Sequence, residues 1–115
     1  MKRLVLAALI TSLVAGCSSA AAPRAGDVLG QVNKAYAVEV ESALRNAAVG
    51  EEAYFAQQGT YTTDVAGLGL NPGPAVTLTV VRADATDFCI QGTHAQAADV
   101  LWHVSKGGAP TQGAC

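Results

Sequence analysis

The sequence predicts an α+β fold in which one long N-terminal amphipathic helix packs on a small antiparallel sheet of about three strands. Residues 27–58 carry apolar side chains every three or four positions, which is typical of a helix with one buried face. Residues 75–105 contain three runs of alternating side-chain character, which is typical of strands. A helix longer than any strand, followed by strands with short connections, favours two packed layers.

Length and charge limit the possible classes of protein. The chain has 115 residues, of which 50% are hydrophobic and 14% are charged, and this suits one domain. Its net charge of -2 argues against a polybasic surface, so we expect no nucleic-acid partner. Aromatic residues make up only 5%, so the core must be thin, and a small domain with a thin core needs a covalent crosslink.

The N-terminus has the layout of an export signal. Lys2 and Arg3 precede a mostly apolar run over residues 4–14, which is too short to span a hydrocarbon core of about 30 Å. The sequence VAGC at residues 14–17 resembles the lipobox of bacterial lipoproteins. That resemblance implies a signal peptide over residues 1–16, and a diacylglycerol on the thiol of Cys17.

An alternative is a signal cut within the AAA run at residues 20–22, with Cys17 as an ordinary apolar residue. With lipidation, residues 17–26 become the lipidated Cys and a flexible tether, because SSAAAPRAG is small, polar and proline-containing. The folded domain then comprises residues 27–115. We expect a lipoprotein on the extracytoplasmic face of the cell membrane, whose membrane partner is reached through the lipid on Cys17.

The helix is predicted to begin at Asp27 as N-cap and to end at Gly59. Gly50 marks a bend or a close contact inside it. Val38 and Val49 lie off the apolar stripe and offer a second contact surface. The stripe comprises Leu29, Val32, Tyr36, Val40, Ala43, Leu44, Ala47, Tyr54 and Phe55.

Residues 59–74 are rich in turn-forming residues and predict a connecting loop with a short turn near residues 64–68. Its role is left open. The predicted strands are residues 75–82, 87–93 and 100–105, and their short connections favour antiparallel neighbours. Within each strand the faces are predicted to alternate, so that one face carries Val76, Leu78 and Val80 in the first strand, Phe88 and Ile90 in the second, and Val100, Trp102 and Val104 in the third.

Three cysteines are an odd count for an exported protein, and lipidation of Cys17 leaves Cys89 and Cys115 as a pair. A bridge between them would close a loop of about 25 residues, worth roughly 3 to 4 kcal/mol in the chain-entropy model. The alternatives are two free thiols, or a metal bound with His94 and His103, for which the spacing is poor.

Most of the mature chain resembles one family. The segment ESALRNAAVGEEAYFAQQGTYTT at residues 41–63 resembles the part of type IV pilins where the long helix ends and enters the connecting loop. The runs TLTVV, DFCIQGTH and VLWHVSKGGAPTQGAC resemble the sheet and terminal Cys of the pilin head. The resemblance covers about residues 27–115. It implies that Cys89 and Cys115 fix the C-terminal segment against the sheet.

The chain departs from type IV pilins at its N-terminus. It has no Gly-Phe-like cleavage point and no long apolar half-helix, and its fifth residue after cleavage at Cys17 is Ala21 where pilins have Glu. We therefore expect no filament of the usual kind and a soluble domain that is monomeric.

Candidate catalytic and metal-binding residues are sparse. His103 is interpreted as a partly exposed strand residue, and neither it nor His94 lies near a nucleophile motif. Glu51 and Glu52 are adjacent on a helix, so their side chains diverge, and both are interpreted as surface charges. Asp84 and Asp87 flank a tight connection where turn capping is favoured over calcium binding. Tyr54, Phe55 and Tyr61 could line a ligand site, but packing at the helix end is favoured.

The sequence predicts a surface-exposed, lipid-anchored, pilin-like protein with a structural or interaction role and no catalysis or cofactor. One alternative is an exported lipoprotein that binds a ligand or protein against the long loop. Another is a minor component of a type IV pilus or a secretion apparatus of the type II kind. In each case a protein partner at the cell surface is expected.

Overall fold

The computed structural model describes residues 25–115, with side chains from Leu29 onward, and it has the predicted α+β architecture. One helix packs on one face of an antiparallel sheet whose strand order is β1-β2-β3-β4. The elements are α1 (Ala25–Gln58), a 3₁₀ turn (Ala66–Leu68), β1 (Val76–Ala83), β2 (Phe88–His94), β3 (Ala97–Ser105) and β4 (Thr111–Gln112).

The helix starts earlier than predicted, and its described side chains before Tyr36 lie outside the core. It begins at Ala25, so the prediction of Asp27 as N-cap is wrong. Leu29 is 64% exposed and Val32 is 37% exposed, although both were predicted to be buried. They lie on the same helix face as Val40, which is fully buried. The spacing identified the face correctly, but only its part from Tyr36 onward packs into the core.

The core forms where the middle of α1 crosses β2 and β3. Val40, Leu44 and Ala47 are fully buried there. The predicted alternation holds, because the inward rows of the sheet pair Val80 with Ile90 and Ile90 with Val104. Val81, the extra residue of a bulge between Val80 and Arg82, is exposed on the outer face.

Two glycines shape the helix end as predicted. Gly59 adopts a left-handed φ of 71°, and its N–H donates to the Phe55 carbonyl at 2.8 Å, which closes the last turn. Gly50 marks a close contact, because a Cβ there would lie 3.3 Å from the Cβ of Leu68. The 3₁₀ turn containing Leu68 confirms the predicted short turn and packs on the helix at this point.

The sheet has four strands, one more than predicted. The two-residue β4 places Gln112 opposite Trp102 and Thr111 opposite His103. β3 also begins at Ala97, three residues before its predicted start, because His94 already pairs with Ala97 across a tight turn. A strand as short as β4 has no detectable alternation, so its sequence carried no strand signal.

Candidate functional site

Of the three cysteines singled out, two lie within the described residues. Cys17 lies outside them, so its lipidation stays a prediction. The Sγ atoms of Cys89 and Cys115 are joined at 2.04 Å, with Cα atoms 6.0 Å apart. This is the predicted pair, and it lies on the face of the sheet opposite α1. Cys89 is buried on that face because the C-terminal segment covers it.

Hydrogen bonds hold the C-terminal segment against the sheet beside the disulfide. The Cys115 N–H donates to Gln91 Oε1 at 2.9 Å, and the Gly113 N–H donates to the Leu101 carbonyl at 2.8 Å. His103 Nδ1 donates to the Gly113 carbonyl at 2.9 Å. His103 is half-buried, as predicted, and its ring helps to fix the chain end.

His94 lies on the helix-facing side of the sheet and His103 on the other, so the two cannot bind one metal. The His94 ring stacks on Tyr36 with centroids 4.2 Å apart. The Gln96 N–H donates to its Nδ1 at 3.1 Å, so the ring proton lies on Nε2 and is donated to Glu39 Oε2 at 2.8 Å. The buried imidazole therefore fixes the direction of the partly exposed Glu39 carboxylate.

Glu51 is fully buried, so its interpretation as a surface charge is wrong. Its Oε2 accepts the Thr62 N–H at 2.9 Å, which ties the loop to the helix, and its Oε1 has no partner among the described residues. Burial, the largest cause, raises the pKa of Glu51; the Thr62 bond opposes this and the Glu52 carboxylate adds to it. The signal was available, since position 51 follows Ala47 by four residues on the buried face.

Of the three aromatic residues predicted to pack at the helix end, Phe55 and Tyr61 do so, whereas Tyr54 is not part of the core cluster. The Tyr61 ring is buried, with its centroid 4.7 Å from that of Phe55 and 4.9 Å from that of Phe88. Its hydroxyl donates to the exposed Glu52 carboxylate at 3.2 Å. Lys106 Nζ lies 5.6 Å from the Tyr61 centroid, within range of a cation–π contact. This cluster therefore closes the end of the core.

The connection between β1 and β2 is capped as predicted. Asp84 Oδ1 accepts the N–H groups of Thr86 and Asp87, both at 2.8 Å. The hydrogen bonds from these two N–H groups lower the pKa of Asp84, and the bond from Thr86 has the largest effect. Arg82 donates to the Asp87 carboxylate at 2.8 Å, and this bond is the main cause of the lowered pKa of Asp87. Both aspartates thus stabilise the turn.

A surface groove of about 420 Å³ lies between α1 and the end of the long loop, and the sequence alone did not identify it. Residues 71–76 form one wall, and Pro72 and Pro74 stiffen this wall. The helix wall comprises Glu39, Ser42, Ala43 and Asn46, which share one side of α1 because they are spaced by three and four. The site therefore combines amide, hydroxyl and carboxylate groups on two walls.

Membrane-spanning helices and metal-ligand clusters are both absent from residues 25–115. No helix in that range is long and apolar enough to cross a membrane. The same residues contain no group of three or more His, Cys, Asp or Glu side chains placed to hold a metal ion.

No protein-family model matches the sequence, and no curated protein matches it either.

Proposed function

We propose that this protein is a lipid-anchored, pilin-like head with a structural or interaction role on the extracytoplasmic face of the cell membrane, and that it performs no catalytic step. The lipid on Cys17 would be its membrane contact, and a protein at the cell surface its partner. Nucleic acid is not among the expected partners, given the net charge of -2.

The observation that carries this proposal is that α1 extends N-terminal of its core contacts, with Leu29 and Val32 exposed. The 34 residues of the helix would span about 51 Å at 1.5 Å per residue. The core residues begin near Tyr36 and Val40, so the described side chains before them, from Leu29, lie outside the core. A helix of this kind suits a rigid spacer between an anchor at Cys17 and a compact head.

The second support is the way in which the C-terminal segment is held on the head. The disulfide and the bonds from Gln91 and His103 fix the C-terminus against the outer face of the sheet. Small domains outside the cytoplasm commonly depend on such a bridge. A closed, crosslinked head is what a protein exposed at the cell surface needs.

The anchor can be tested directly. We expect the mature protein to begin at Cys17, to partition into detergent and to incorporate labelled palmitate. Cys17→Ser should abolish the label and leave uncut precursor or a soluble form. Cys89→Ser, as a matched control, should keep the label. Mass spectrometry of a mature protein without lipid at position 17 would contradict the proposal.

A second candidate function is an exported lipoprotein that binds a small ligand, and the groove between α1 and residues 71–76 favours it. The volume of about 420 Å³ falls within the usual range for small-molecule sites. The two functions are compatible, because the helix wall of the groove begins at Glu39 and the helix turns before Tyr36 do not line it.

A further inference from the structure

We propose that the groove between α1 and residues 71–76 binds a neutral, hydroxyl-rich ligand of the saccharide class. The groups that carry this assignment are Ser42, Asn46 and Asn71, together with the carboxylate of Glu39. The inference deepens the second candidate function, and it does not require a lipid on Cys17.

The polar side chains of the groove are available to a ligand. Ser42, Asn46 and Asn71 are exposed, and within the described residues none of them makes a side-chain hydrogen bond. Each amide offers donors and an acceptor, and the hydroxyl offers both. A ligand that itself carries groups able to donate and accept is therefore complementary, and sugar hydroxyls have this property.

The carboxylate gives the groove an oriented acceptor. His94 is buried, and its Nε2–H donates to one oxygen of Glu39, which leaves the other oxygen for a ligand donor. Glu39 is the one charged side chain in the lining, so the groove disfavours anions. Ala43 and Val76 are buried at its base and can contact the C–H face of a sugar ring.

A peptide is a poorer fit because the walls offer little backbone to pair with. Extended peptides are commonly bound through main-chain hydrogen bonds. The amides of α1 within the groove are already bonded inside the helix, and Pro72 and Pro74 have no N–H. Recognition must therefore come from side chains, which favours a ligand with closely spaced hydroxyls.

The proposal can be tested by saturation-transfer difference NMR on the full chain as cells produce it, purified from detergent extract or from the soluble fraction. The probe is N,N′-diacetylchitobiose, a neutral disaccharide, and the comparison probes are spermidine and tri-alanine. An open groove with few hydrogen bonds predicts a Kd on the order of 1 mM for the disaccharide. We expect spermidine and tri-alanine to give no signal that depends on the groove.

Variants then locate the site. Asn46→Ala and Asn71→Ala should each weaken disaccharide binding by about tenfold, with unchanged thermal melting because both side chains are exposed. Asn33→Ala is the matched control on the same helix, outside this groove, and should bind as the unaltered chain does.

Three results would overturn the proposal: no disaccharide signal at tens of millimolar, equal signals from the unaltered chain and all three variants, or binding at Asn46 by spermidine or tri-alanine in place of the disaccharide. The lipid test on Cys17 is independent of each of these results, so either proposal can fail without the other.

Discussion

Gly92 in β2 lies directly under Val40 of α1. A Cβ at position 92 would lie 2.7 Å from Val40 Cγ1 and 3.3 Å from Leu44 Cγ. Real side chains do not approach so closely, so the glycine is what allows the helix to cross the sheet at this distance. In the sheet, Gly92 pairs with Leu78 on one side and Trp102 on the other, and these larger residues flank the crossing point.

Gly92→Ala should therefore destabilise the protein by overpacking, by about 1 to 3 kcal/mol. Urea denaturation followed by circular dichroism measures the change. Gly30→Ala is the matched control, because nothing lies within 4 Å of a Cβ at that helical position. That control should be neutral or should stabilise by up to about 1 kcal/mol. Equal effects of the two substitutions would contradict the close approach.

The cause of the Gly92 effect can be isolated by a double-mutant cycle. Val40→Ala removes the methyl groups that the new Cβ would meet, so it should cost less in the Gly92→Ala background than in the unaltered chain. Additive losses would show that the two positions do not interact.

Loss of the bridge between Cys89 and Cys115 should cost roughly 2 to 5 kcal/mol, because the unfolded chain regains the freedom of a long loop. Cys115→Ser tests this in urea, and the exposed position avoids a new buried hydroxyl. Dithiothreitol should lower the stability of the unaltered chain and leave the variant unchanged. Labelling of two thiols in the untreated, denatured mature chain would show that the bridge does not form.

Because Glu51 is buried, we expect part of the folding stability to be lost as pH rises. Its pKa is raised in the folded state, so its contribution is complete below the ordinary value near 4.5 and falls as pH passes through the raised value. Glu51→Gln keeps an oxygen for the Thr62 N–H and cannot ionise. The stability of the unaltered chain relative to this variant should therefore decrease from about pH 4.5 upward. If the difference in stability between the unaltered chain and Glu51→Gln did not change with pH, it would contradict the buried state of this carboxyl.

For Asp84 we expect the opposite dependence of folding stability on pH. Its pKa is lowered by the N–H groups of Thr86 and Asp87, so its contribution is present above the ordinary value of 3.8 and is lost as pH falls through the lowered value. Thermal melts of Asp84→Ala and the unaltered chain should converge in acid and separate above pH 4. Because Glu51→Gln should change in the other direction, each variant controls for general effects of pH.

We predict that residues 24–115, produced without the N-terminal segment, are monomeric at micromolar concentration. The exposed apolar residues Leu29, Val38 and Val49 are scattered over the helix, and they do not form the long apolar segment that holds a pilin filament together. Sedimentation velocity tests this prediction. Purified filaments that contain this protein as a stoichiometric subunit would contradict it.

The sequence alone determined the elements and their faces, because side-chain periodicity reports which side of a helix or strand is apolar. It predicted the stripe through Val40 and Leu44, the alternation in the first three strands, and the stop at Gly59. It also predicted Cys89 and Cys115 as a pair. These predictions succeed because each depends on local spacing or on the count of cysteines.

Only the tertiary structure decided how much of each face is covered. Leu29 continues the stripe of Val40, yet it is exposed because the core begins only at Tyr36. Glu51 is charged, yet it is buried because the loop at Thr62 folds over it. The contact of Glu39 with His94 joins residues 55 positions apart, and the helix–loop groove likewise joins distant segments. Periodicity describes one element at a time, whereas burial and site geometry depend on where the elements meet.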